Sequence, residues 1–258
     1  MCVELSAKGG KVRLAKGRNL VAPHISLVLA PKDEVSGRLS TQIKTRQRVR
    51  DLAEVYTHDR EVNAMLDLIP NMFPAAAAGA DIKFLEPACG SGNFLVGILR
   101  RKLAHITWKR IGAIGRYEHR MLRALASVYG VDICTDNVAE ARERMLDVVR
   151  EHYYGDANSI EPTEGFIAAA RTILGTNILC ADMLGAASTT EVIDYRVGRD
   201  GTFTRVWSML DDSASNHEAD LFDPEPEPKA DEVPVHYSDL ARRPRPTRLL
   251  KLDEARRA

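Results

Sequence analysis

Residues 84–96 read FLEPACGSGNFLV, and no other stretch constrains the fold as tightly. An apolar pair, Phe84 and Leu85, leads through Gly90 and Gly92 into an apolar-periodic stretch that starts at Asn93. A strand that turns this sharply into a helix needs glycine. The backbone must fold tightly there, and with no Cβ it can approach a ligand closely. The helix behind the turn directs its unpaired N–H groups outward, which suits a carboxylate or a phosphate. A dinucleotide fingerprint would carry a third glycine three residues after Gly92, but position 95 is Leu. No G-x-x-x-x-G-K-[ST] occurs, which excludes a nucleoside-triphosphate P-loop. By itself a G-x-G also fits an ordinary βα turn, so its neighbours decide.

Those neighbours alternate between strand and helix. The patterns predict a strand at 83–85, helices at 93–105 and 117–127, and a β-branched strand at 128–133. A long helix follows at 136–152, with Val138, Ala141, Met145, Val148 and Val149 on one side. Another helix is expected at 163–174, with Thr163 as its N-cap and Phe166, Ala169, Ala170 and Ile173 inward. A third strand is expected at 177–181. The alternation predicts an α/β fold with a doubly wound, mostly parallel, Rossmann-like sheet. Alternating residues on either side of the Gly-rich link at 198–201 predict a β-hairpin over 191–208. Upstream, Val49, Leu52 and Val55, then Val62, Met65, Leu66 and Ile69, mark two helices interrupted at 56–59. Thr57 or Asp59 is placed to cap the second of them.

The 258 residues carry 36 Lys+Arg and 36 Asp+Glu, and this neutrality is unevenly distributed. Residues 1–50 hold eleven basic side chains against three acids, a net +8. Residues 211–232 hold nine acids and only Lys229, and residues 242–258 are basic again at +5. Four segments follow: a basic arm (1–45), a helical segment (46–80), the α/β domain (81–210), and an acidic Pro-rich linker with a basic tail (211–258) expected to be disordered. The arm suits either phosphate contacts to nucleic acid or a solvated terminus.

A hydrophobic fraction of 45% excludes a disordered chain as a whole. No apolar run is long enough to span a membrane, and no charged region followed by an apolar stretch marks a secretory leader at the N-terminus. Cys2, Cys89, Cys134 and Cys180 lie far apart with no C-x-x-C pair. Reduced thiols, a cytoplasmic setting and no metal site are therefore expected.

FLEPACGSGNFL resembles motif I of the S-adenosylmethionine-dependent adenine-N6 DNA methyltransferases, above all the modification subunits of restriction systems. Three further segments match in order. Glu54-Val55-Tyr56-Thr57-His58 resembles the Y-T-P or F-T-P element that lines the methionine end of the cofactor, with His58 in place of the family's Pro. Tyr129-Gly130-Val131-Asp132-Ile133 resembles motif II, whose acid binds the ribose hydroxyls. Asn177-Ile178-Leu179-Cys180-Ala181-Asp182-Met183-Leu184 resembles motif III, whose acid faces the adenine amino group. The resemblance spans roughly residues 46–186. It implies S-adenosylmethionine as cofactor and DNA as partner. The cofactor site would comprise Tyr56 and Thr57, the loop residues Glu86, Pro87, Ala88, Gly90, Gly92, Asn93 and Phe94, and the strand-end residues Asp132, Ile133, Asp182 and Met183. The strand pattern agrees, since ligands of open α/β sheets bind beyond the carboxyl ends of the strands. A helix-capping role is the alternative for Asp132 and Asp182, and a core role for Phe94.

Two family features are missing from these residues. No [DNS]-P-P-[YFW] acceptor loop occurs, and Asp223-Pro224-Glu225-Pro226 lacks both the second Pro and the aromatic. After Leu184 only one hairpin and a polar stretch remain, which implies a truncated sheet whose first strand is unpaired on one side or covered by the hairpin. The expectation is a modification subunit of a restriction-modification or related defence system, with a second chain supplying the acceptor loop and target recognition. A non-catalytic S-adenosylmethionine- or DNA-binding subunit, or a methyltransferase for RNA or protein glutamine, fits the same residues.

Overall fold

A computed structural model describes residues 3–5, 57–75, 77–157, 160–185, 190–210 and 229–243. The chain divides into two compact units: Met1–Arg13 with His58–Ala258, and Leu14–Thr57. All the elements below belong to the first unit. Most of the basic arm, the helix expected before Tyr56, Tyr56 itself, residues 211–228 and the tail from 244 lie outside the described residues.

Strand β1 is Val3–Leu5 and helix α1 is Asp59–Leu66. The N-cap of α1 is His58, so neither Thr57 nor Asp59 takes that role. Asp59 and Glu61 instead lie in the first turn, where negative charge complements the helix dipole. The predicted alternation follows. Strand β2 (Lys83–Glu86) leads into α2 (Asn93–Leu103), α3 (Trp108–Ile111) and α4 (Ile114–Ala126). Then come β3 (Val128–Asp132), α5 (Thr135–Asp156), α6 (Phe166–Asn177) and β4 (Ile178–Cys180). Strands β2, β3 and β4 are parallel neighbours in that order, with Phe84 opposite Val128 and Gly130 opposite Ile178. The result is a Rossmann-like α/β sheet, as the alternation predicts.

Strand pleating sorts the side chains. Phe84, Val128 and Ile178 enter the main core together with the apolar faces of α1, α2, α4, α5 and α6. Leu85, Tyr129 and Val131, one residue out of phase, form a second cluster with Val192 and Leu210. The hairpin, β5 (Glu191–Val197) and β6 (Thr202–Met209), contributes to both clusters. Its Tyr195 hydroxyl pairs with Thr176 of α6 at 2.8 Å, and Asp194 accepts from Lys83 at 2.6 Å.

Three further expectations need correction. The outer edge of β2 is neither bare nor covered by the hairpin, because β1 pairs with it antiparallel, Glu4 opposite Phe84. Helix α6 starts at Phe166 behind Gly165, whose φ of +90° a side chain disfavours. Thr163 does not cap it, since both its N–H and its hydroxyl donate to Glu118.

The third correction concerns residues 229–243, which composition assigns to a disordered linker. They form β7 (Lys229–Ala230) and β8 (Val235–His236), both paired with β6, then a 3-10 turn over Tyr237–Arg242. Val235, Tyr237 and Leu240 are buried. The acid that reads as linker, Asp231, is held by Arg205 with Nε–Oδ2 at 2.8 Å and Nη2–Oδ1 at 2.9 Å, both side chains 1% exposed. A bidentate pair of this kind survives burial because each charge is matched and hydrogen-bonded. Among the described residues no helix is long and apolar enough to cross a membrane.

Candidate functional site

Parallel pairing places the carboxyl ends of β2, β3 and β4 along one edge. Glu86 is the last residue of β2 and Asp132 the last of β3, while Asp182 lies two residues beyond β4. Hydrogen bonds bind these ends together: Cys89 N–H donates to Val131 at 2.9 Å and Ala181 N–H to Asp132 at 3.0 Å. The three acids predicted to face one crevice therefore share one edge of the sheet.

The glycine loop is held in a conformation few other residues could adopt. Gly90 has φ +53° and Gly92 φ +88°. A Cβ on Gly92 would stand 2.9 Å from the Cβ of Ala141 in α5, so both its backbone and its neighbour demand glycine. Gly92 is the N-cap of α2 and, being glycine, has no side chain to cap that end. Its outward N–H groups suit an anion. Arg144 of α5 clamps the loop, donating to Ser91 O at 2.6 Å and to Asn93 Oδ1 at 2.7 Å.

Asp132 joins the start of α5 to the glycine loop. Its Oδ1 accepts from Cys134 N–H at 2.9 Å and from Asn137 Nδ2 at 3.3 Å, which steadies the start of α5. Its Oδ2 accepts from Gly90 N–H at 2.8 Å, tying the glycine loop to the end of the next strand. An ionised carboxylate offers about four acceptor positions, and the partners among the described residues fill three of them. Asp132 is half-buried, and Ile133 beside it is 64% exposed.

The remaining predicted residues divide between core and surface. Glu86 is buried at 3% exposure, Pro87 is half-buried and Ala88 is exposed. Phe94 is half-buried and packs against the main core. Asp182 is exposed and its Oδ1 accepts from Leu184 N–H at 2.9 Å, while Met183 packs on the second cluster. Thr57 belongs to the other compact unit, and Tyr56 lies outside the described residues.

The three described cysteines lie at this edge. Burial, reinforced by the Asp132 and Glu86 carboxylates, pushes the Cys89 thiol up to about 12. It stays protonated at neutral pH and cannot act as a thiolate nucleophile. Cys180 Sγ lies 3.5 Å from the Ile133 carbonyl, and Cys134 is half-buried at the N-cap of α5. Among the described residues no group of three His, Cys, Asp or Glu is placed to hold a metal ion.

Motif matching does not find Asn137, Ala141 and Arg144, yet all three serve the loop. Asn137 meets Asp132, Ala141 sets the space at Gly92, and Arg144 holds Ser91 and Asn93. Their spacing of four and three residues puts them on one face of α5, a signal present in the sequence.

The fold and its edge define a Rossmann-like α/β protein with a methyltransferase-like glycine loop. In keeping with this, 70 residues are 41% identical to the adenine-specific methyltransferase PglX of Streptomyces coelicolor. That match covers 26% of this chain and 5% of PglX, so the chain corresponds to a small fraction of that protein. No family model matches the chain, and no solved structure matches it. The likeness makes the chain methyltransferase-like.

Proposed function

We propose that the chain is the S-adenosylmethionine-binding part of an adenine-N6 DNA methyltransferase of a restriction-modification or related defence system. The observation that carries this is Asp132, whose carboxylate holds the glycine loop through Gly90 and keeps an acceptor position for a ribose hydroxyl. The N–H groups of the loop and of the first turn of α2 receive the methionine carboxylate. Ile133 lies against the adenine ring and Asp182 accepts from its amino group. Bound S-adenosylmethionine supplies an already activated methyl group on a sulfonium. The protein's task is then to orient donor and acceptor and to exclude water. The acceptor loop, absent from these 258 residues, comes from a second polypeptide or from sequence outside them, and so does target readout.

Isothermal titration with S-adenosylmethionine tests the proposal. The chain should bind it, and Asp132→Ala should weaken binding about tenfold or more, as loss of a hydrogen bond to a charged group predicts. Absence of binding, or equal affinity in Asp132→Ala, would overturn the cofactor assignment. Tritiated methyl transfer to DNA by the isolated chain would overturn the claim that the acceptor loop lies elsewhere.

A further inference from the structure

A second concave site lies at the opposite end of the sheet. Helix α2 starts at the carboxyl edge of β2 and runs back to the end where the 3-10 turn Ala77–Asp81 enters that strand. A cavity of about 190 Å³ opens there, lined by Lys102, His105, Arg110 and Arg120 together with Phe73 and Ile106. No acid lines it. Residues 87–131, which supply all four basic groups, contain eight Lys and Arg but one acid, Glu118, which is fully buried.

Each charge at the cavity has a distinct role. Lys102 is 3% exposed, and its Nζ donates to the carbonyls of Gly79 at 3.0 Å, Ala80 at 3.3 Å and Ile82 at 2.7 Å. All three of its N–H bonds are thereby engaged, so Lys102 offers no free donor and adds buried positive charge in its protonated form. Burial pushes its ammonium down to about 7, opposed by the nearby Asp81. Asp81 is itself paired with Arg123 at 3.0 Å (Nε–Oδ1), and Asp67 with Arg101 at 2.8 Å. Arg110 makes one long contact, Nη1 to His105 O at 3.4 Å. The Arg120 guanidinium makes no hydrogen bond or ion pair among the described residues. Two guanidinium forks with open donors over a buried ammonium suit a tetrahedral oxyanion. At roughly 30 Å³ per water, the cavity has room for about six waters. That holds a phosphate group and falls short of the volume that encloses a whole nucleotide.

We propose that this cavity binds a phosphate group through Arg110 and Arg120 over Lys102, at the pole of the domain opposite the cofactor crevice. The phosphate is either free or part of a nucleic-acid backbone, and the chemistry at the pocket is the same. The assignment does not depend on S-adenosylmethionine binding.

The test uses the full chain with inorganic phosphate, followed by calorimetry and by the ¹³Cε shift of Lys102. Phosphate should bind, and the double variant Arg110→Gln/Arg120→Gln should bind it about tenfold or more weakly. Lys109→Gln, an exposed neighbour outside the lining, should stay within about twofold of the parent. Absence of phosphate binding would overturn the proposal. So would an equal loss in Lys109→Gln, which would mean diffuse attraction. Should the double variant fail to fold, the parent decides: phosphate should raise the Lys102 titration midpoint, and an unchanged midpoint overturns the site. A short DNA duplex that displaces phosphate identifies the backbone as the source, and a duplex that does not leaves the free ion or a small ester.

Discussion

Two carboxylates, Asp132 and Glu118, show how this molecule separates an open strand edge from a sealed core. Among the described residues both accept hydrogen bonds from neutral N–H or O–H donors. Glu118 of α4 is fully buried. Its Oε1 accepts from Tyr153 Oη at 3.3 Å and Thr163 N–H at 2.7 Å, and its Oε2 from the Thr163 hydroxyl and Tyr237 Oη at 2.6 Å. All four acceptor positions are filled from within the chain. Asp132 is half-buried at a strand end and has three filled positions, all from the loop and α5. A closed set of partners fastens α4, α5, the 162–165 turn and the 237–242 turn to one another. A set one short, open to solvent, is where a ligand can be recognised. The same chemical group is thus closed off or left open to a ligand according to how completely the fold satisfies it.

This contrast can be broken from the sealed side with the largest effects. Asp231→Ala leaves Arg205 charged and buried without its carboxylate, and should cost about 3–5 kcal/mol in urea denaturation. Glu118→Ala strips the acceptor from three hydroxyls and an N–H, and should cost roughly 3 kcal/mol while the folded fraction keeps the proposed S-adenosylmethionine affinity. Asp132→Ala should do the reverse. Its stability should fall by only about 1 kcal/mol, with the main loss in the proposed cofactor affinity. Equal stability losses in Glu118→Ala and Asp132→Ala would erase the distinction.

The smallest effect is a pH dependence. His119, 8% exposed and with Nε2 3.2 Å from Thr202 O, is pushed down to about 4 by burial and then by Arg123. Between about 4 and 6.5 the unfolded imidazole binds a proton that the folded one excludes. His119 therefore contributes stability that is present above 6.5 and lost as the pH falls. The denaturation midpoint should drop from pH 7 to pH 5, and His119→Phe should flatten part of that slope.

The sequence by itself determined the parallel β-α core, the glycine turn at 90–92, the placing of Glu86, Asp132 and Asp182 at strand ends, and the hairpin. These are local matters. Apolar periodicity and glycine at a turn act over a few residues, so they can be read without knowing what lies across the molecule. Tertiary structure alone decided the rest. Residues 229–243 look like a charged linker because Asp231 meets Arg205, 26 residues away, only in the folded chain. Thr163 looks like a helix cap because Glu118, 45 residues earlier, is not yet beside it. Strand β1 covers an edge 80 residues distant from it in sequence, Glu4 against Phe84. In each case the deciding term is the burial of a polar group or a sheet edge, and its cost depends on which distant donor or acceptor folding brings to it.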